Sequence, residues 1–240
     1  MKFLNMIKLS VLGFALLGPQ NSFAATDLPK NEMQAACDCA GKQDFCFGYI
    51  FIEPTELALL NNRPIDLLAS ARSEFRDQKY SEASRDIYTA SQLMKVQASG
   101  HLRGSRLMET ANNLDIVSQR VAEHEIKTSA NLDYELTRAA HDEAEHFNLH
   151  ATELWAHHMS QNVAADLTAA VKATERSAEW SGEKISNSGK KVMDDSKKIS
   201  QRLVADGKWT SDEVGKSIAS LGAEINRLGK KMEQSEKTMK

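Results

Sequence analysis

Five of the seven histidines lie between His141 and His158, inside a run, 131–171, that contains neither Gly nor Pro. Imidazole is a ligand for zinc, copper or nickel, and it also titrates near neutral pH. At helical pitch His146, His150 and His157 fall on one narrow stripe, with Glu143 and Glu153 flanking it. His146 and His150 are four apart, so their rings sit one turn from each other. Glu143 precedes His146 by three, the spacing used in carboxylate-bridged di-iron bundles. Glu153 and His157 are again four apart. These five residues, Glu143, His146, His150, Glu153 and His157, are the candidate metal ligands, with zinc or copper as the ion.

The stripe has gaps as a metal site. No second Glu-x-x-His occurs in the chain. HDEAEH departs from the metalloprotease patterns by one residue, and HEIKT at 124–128 lacks a second histidine. His150 and His157 are separated by two turns, about 10 Å, so one ion cannot hold all three imidazoles. A partner helix carrying Glu109, Glu123 or His124 is needed to complete a site. The competing reading is a row of solvated histidines beside a core; pH sensing is a third. His158 falls on the apolar side near Phe147 and Leu154, and is expected to be buried and hydrogen-bonded. No Ser/His/Asp or Cys/His arrangement, Gly-rich phosphate loop or facing carboxylate pair stands out, so no catalytic residues are assigned.

These side chains need a helix to hold them. Leu136, Ala140, Phe147, Ala151, Leu154 and Ala165 recur on one side of 131–171 and predict a single helical spine. The four prolines, at 19, 29, 54 and 64, leave everything after Pro64 open to helix. Pro64 suits a first helical turn, and apolar spacing predicts helices over 65–77, 81–98 and 105–126. Lys127-Thr128-Ser129 is either a turn, with Asn131 or Asp133 as N-cap, or a continuation into the spine. The string FRDQKYSEASRDIYTA resembles half of a tetratricopeptide unit, and resembles the first hairpin of the exported stress proteins of the YfdX type. The likeness covers about 35 residues in a single copy, where a solenoid needs several, and no family function is carried over from it.

Residues 1–24 have the order of an export signal. Lys2 and Lys8 begin it, a short apolar core runs from Leu9 to Gly18, and Ser22-Phe23-Ala24 ends it. Cleavage is expected near Ala24, giving a periplasmic or secreted chain. Formal charge is then −5, against −3 for the whole, which offers no general attraction to nucleic acid. In an oxidising compartment two of Cys37, Cys39 and Cys46 are expected to pair, and the third is left over. Four of the fifteen aromatics fall in FCFGYIFI, at 45, 47, 49 and 51. By period this is a short strand or an irregular apolar plug. With no second alternating run to pair with, it reads as a disulfide-tethered cap.

The last third has a different texture. Val171, Ala178, Ile185, Val192 and Ile199 recur every seven residues, and Val214, Ile218, Leu221, Ile225, Leu228 and Met232 follow heptad spacing. Thr210 and Glu213 form a capping box between them. Gly182, Gly189 and Ile185 match Gly215, Gly222 and Ile218 thirty-three residues on, followed by Gly229. Glycine weakens a helix, so several at fixed phase predict close backbone approach. The expected arrangement is an antiparallel hairpin, 164–205 against 211–233, packed through glycine seams, with self-association through the same seam as the alternative.

The resulting fold is all-α: about four bundled helices, a C-terminal hairpin of long helices and a short disulfide-tethered N-terminal segment. The divisions are 1–24, leader; 25–62, linker and Cys/aromatic segment; 63–160, bundle; 161–240, amphipathic hairpin. Function is expected to be non-enzymatic: binding a protein partner or itself, or supporting the envelope under stress, with no cofactor. Divalent-metal binding at the histidine stripe is the alternative. Peripheral membrane contact, anchored by Trp180 and Trp209, ranks below both.

Overall fold

A computed structural model describes residues 54–99, 104–205 and 207–239. The chain divides into two units, Met1–Phe51 and Ile52–Lys240, and the description concerns the second. The expected leader, the Cys37/Cys39/Cys46 pairing and the aromatic cap lie outside the described residues.

The described residues form seven α-helices and no strand: α1 (Pro54–Arg76), α2 (Tyr80–Ser99), α3 (Ser105–Ala122), α4 (Ser129–Ala156), α5 (Ser160–Ser181), α6 (Asn187–Val204) and α7 (Ser211–Met239). Among them no helix is long and apolar enough to cross a membrane. Pro64 lies inside α1 rather than at its first turn.

The predicted spine 131–171 is two helices. It turns back at His157, His158 and Met159, although no Gly or Pro marks the place. His158 takes a left-handed backbone, φ 58°. Its N–H donates to Trp155 O at 3.1 Å, and Met159 N–H donates to Leu154 O at 3.0 Å. This is a Schellman cap, which closes the orphan carbonyls of α4. Gln78 (φ 61°) ends α1 and His124 (φ 56°) ends α3 by the same backbone pattern. Left-handed backbone costs a non-glycine residue about 1–2 kcal/mol, so tertiary packing must offset it at all three turns. His158 is accordingly exposed, not a core histidine. Thr128 is the N-cap of α4, its hydroxyl accepting from Asn131 N–H at 3.2 Å.

That offset comes from α4 against α5, the most extensively packed pair among the described helices. Ala139, Ala140, Ala144 and Ala151 of α4 and Ala164, Ala165, Ala169, Ala170 and Ala173 of α5 are all at most 2% exposed. Small side chains let the two axes come close. Fourteen of the twenty-two residues of α5 are buried, so it is covered nearly all round. It touches α1, α4, α6 and α7. The α1–α2–α3 series folds up and down beside it, with Phe75 and Tyr80 edge to face at 5.3 Å across the α1–α2 turn. The division at 160/161 therefore separates in sequence two helices that the fold joins.

The predicted long helix 164–205 is broken too. Gly182 takes φ 73° and ends α5, and α6 restarts behind Ser186, which accepts from Gly189 N–H at 3.0 Å. The capping box holds: Glu213 N–H donates to Thr210 Oγ1 at 3.2 Å and Thr210 N–H to Glu213 Oε2 at 2.8 Å. The thirty-three-residue repeat is not structural, since Gly182 is a cap and Gly215 lies within α7. Trp180 is buried at 5% exposure, not an outward anchor.

Of the expected seam, Gly189 of α6 does lie against α7, where a Cβ would meet the Glu224 carboxylate, but the glycines of α7 lie against a different partner. A Cβ on Gly215, Gly222 or Gly229 would meet Trp155 Nε1 at 3.8 Å, Asn148 Nδ2 at 2.6 Å or His141 Nε2 at 2.6 Å. The three glycines and their three α4 neighbours are each seven apart, in opposite directions. So α7 runs antiparallel to α4, and its glycine row admits polar α4 side chains into its surface. This seam is filled within the chain. Gly222→Val should lower the unfolding free energy by about 1–3 kcal/mol through overpacking, measured by urea titration. In an Asn148→Ala background much of that loss should disappear; strictly additive effects would remove Asn148 as the obstacle.

Candidate functional site

The histidine stripe becomes a graded descent into the α1–α4–α5 interface. Glu143 is 0% exposed and His146 6%. His150 and Glu153 are half-buried, and His157 is exposed at the end of α4. His150 Nδ1 lies 2.6 Å from Asp166 Oδ2 of α5. Asn61 of α1 donates from Nδ2 to Asp166 Oδ1 at 3.0 Å. Three helices thus meet at one buried carboxylate. Burial pushes Asp166 above the ordinary aspartate value, and hydrogen bonding and charge from His150, with Asn61, oppose this.

Glu143 is different. Both its oxygens are buried without a hydrogen-bond partner. Burial pushes its carboxyl well above the usual range; Lys172 pulls it down, and Asp66 pushes it further up. Lys172 and Asp66 are themselves ion-paired at 2.7 Å. Burial therefore favours the protonated form of Glu143 over the charged one.

The five stripe residues do not converge. The His146 and His150 rings stack at 16° with centroids 6.4 Å apart, whereas two imidazoles on one tetrahedral ion have centroids about 5 Å apart. Among the described residues no three His, Cys, Asp or Glu side chains are placed to hold a metal ion. The helpers expected from α3 lie elsewhere: the His124 ring is 4.3 Å from Tyr80, and Glu109 lines a cleft on the other side of α4.

That cleft was missed in the sequence. It has a volume of about 790 Å³, with α4 as floor, α3 as one wall, and α7 and the end of α5 as the other. Its charges fall into two sets. In the first, Arg72 grips Asp133 with two prongs, at 2.6 and 3.0 Å, and reaches Glu179 at 3.5 Å. The Asp133 hydrogen bond raises Arg72 above the ordinary guanidinium value. Arg106 meets Asp142 at 2.7 Å and Glu145 at 2.5 Å, and Thr110 donates to Asp142 at 2.6 Å. In the second set, Glu109 and Glu233 are exposed on opposite walls. Arg138 lies over the Tyr134 ring, 6.0 Å from its centroid.

The floor carries Thr137, 5% exposed, whose Oγ1 is buried without a partner. The other buried threonines differ: Thr174 donates to Ala170 O at 2.6 Å and Thr110 to Asp142. His141 packs against Gly229 beside it, and burial lowers its imidazole below the ordinary value. The sequence signal for this cleft was thin: three arginines spaced along different helices, and a turn at Gly182 that brings Trp180 to its edge.

Compared with known proteins, the chain matches no family model, no curated protein and no solved structure. The local likeness of residues 75–90 to a tetratricopeptide half-unit and to the YfdX-type hairpin is thus unaccompanied by a family match.

A raised carboxyl pKa in the folded state favours the protonated form. Its contribution is present below the unfolded pKa and is lost as pH rises through the folded one. Replacing Glu143 by an apolar side chain of similar volume removes that loss. Glu143→Met should raise stability at about pH 8 by roughly 1–3 kcal/mol, with the gain shrinking toward about pH 4. Thermal unfolding across that range measures it, and destabilisation at both ends would contradict the burial reading.

Proposed function

We propose that this is an exported, non-catalytic binding protein of the cell envelope, and that its ligand occupies the cleft over α4. The observation that carries the reading is the cleft itself. Its volume of about 790 Å³ falls in the range of small-molecule sites, roughly 300–1,000 Å³. An aromatic edge and a buried hydroxyl give it both apolar contact and a hydrogen-bonding point. Its Arg72–Asp133 and Arg106–Asp142 pairs fix the walls, as a preorganised site requires. Export rests on the residue order of 1–24.

Ala130 is exposed at the cleft edge, so Ala130→Trp fills the mouth without disturbing the core. A thermal-shift panel of amines, amino acids, sugars and dicarboxylates at millimolar concentration should stabilise the native chain with one class. The shift should vanish in Ala130→Trp. A panel that stabilises neither protein, or both equally, would sink the reading. Periplasmic fractionation with a mature amino terminus near Ala25 tests export.

The second reading, metal binding at the His/Glu stripe, draws on one observation. The Asp166–His150 contact of 2.6 Å resembles the carboxylate–imidazole pairing that orients metal-ligating histidines. On this reading zinc or copper would bind through His150, with His146, Glu143, Glu153 and His157 as candidate neighbours after rearrangement. Titration by calorimetry should give binding that weakens at least tenfold in His150→Ala. Binding indifferent to that change, or none, removes the metal.

A further inference from the structure

We propose that the cleft takes a small aliphatic polycation, a methylene chain bearing two or more ammonium groups. The inference rests on the cleft being the ligand site and adds the chemistry of what enters it. The first observation is which charges are spent. Arg72 and Arg106 are engaged by carboxylates at 2.6 and 2.7 Å. Their charge is already met by carboxylates, so an anion gains less from them than it would from unpaired guanidinium groups. Glu109 on α3 and Glu233 on α7 have no such partner among the described residues, and they stand on walls that flank α4 from opposite sides. Two uncompensated carboxylates separated across a groove suit a ligand with two separated positive charges. The groove focuses their field more than a flat surface would.

The second observation is independent of charge. Thr137 Oγ1 is buried at the cleft floor with no hydrogen-bond partner. A buried hydroxyl left in this state is costly, and an ammonium N–H entering the cleft supplies the missing donor. The third is the apolar lining between the charges. Tyr134 and Trp180 line it, and aromatic rings are surfaces on which methylenes and ammonium groups pack well. Burial disfavours the charged form of His141 beside them. Arg138 is not paired to a carboxylate among the described residues, and its guanidinium is laid against Tyr134.

The test uses spermidine and citrate as probes on the full mature chain, by calorimetry and Trp fluorescence. Spermidine should bind, with affinity falling as salt rises. Glu109→Gln with Glu233→Gln should weaken it about five- to tenfold, with thermal stability unchanged because both residues are exposed. Thr137→Val should weaken it separately, and Ala130→Trp should abolish it. Spermidine binding unaffected by the double carboxamide variant would overturn the inference. So would citrate binding that Ala130→Trp blocks, and in that case the cleft would still be a ligand site. If no probe binds and the broader panel shifts nothing, the cleft reading falls with it.

Discussion

The alanine seam between α4 and α5 is the contact on which the rest of the structure depends. Nine buried alanines in these two helices let their backbones come close, between larger core side chains such as Leu136, Phe147 and Leu167. The proximity has two results. It offsets the left-handed backbone at His158, which nothing in local sequence favours. It also leaves the polar residues among the alanines, Glu143, His146 and Asp166, too deep for water to reach. Packing here sets electrostatics: the same small residues that permit the hairpin remove the solvent that those polar groups would otherwise use.

Around this axis the polar groups sort into those satisfied by the fold and those left over. Asp166 is answered by α1 and α4, through Asn61 and His150. Asp133 and Asp142 are answered by Arg72 and Arg106. Ser196 meets Ser217 at 3.0 Å and Ser200 donates to Ala164 O at 2.7 Å, stitching α6 to α7 and to α5. Among the described residues those left over are Glu143 inside the α1–α4–α5 contact and Thr137 at the cleft, while Glu74, Gln97 and Asn148 each keep one buried oxygen without a hydrogen-bond partner elsewhere; Glu109 and Glu233 stand exposed at the cleft. Residues that fold formation does not consume are where a function is to be sought.

Helical class, the apolar registers and the Thr210–Glu213 box were legible because each is a local pattern of period or spacing. Breaks were not. The turn at His158 is written in hydrogen bonds between backbone groups, and Gln78, His124 and His158 take a conformation that sequence reading reserves for glycine. The glycine phase in α7 was readable, but its partner was not: heptads say that a face is small, not which helix lies on it. Reading 131–171 as one helix put His158 in the core and extended the ligand stripe toward it. Glu143 and His146, which the sequence placed at the edge of the apolar face, are buried. What three-dimensional placement added was that Glu143 sits alone while His150 is held by a carboxylate sixteen residues away. The cleft gathers residues from five helices, and no window of sequence contains it.

Native-state hydrogen exchange at rising denaturant tests the dependence on the α4–α5 seam most directly. Amides of α4 and α5 should open together and last, with α1–α3 and α6–α7 opening no later than they do. Protection persisting in α1–α3 or in α6–α7 after α4 and α5 have exchanged would contradict it.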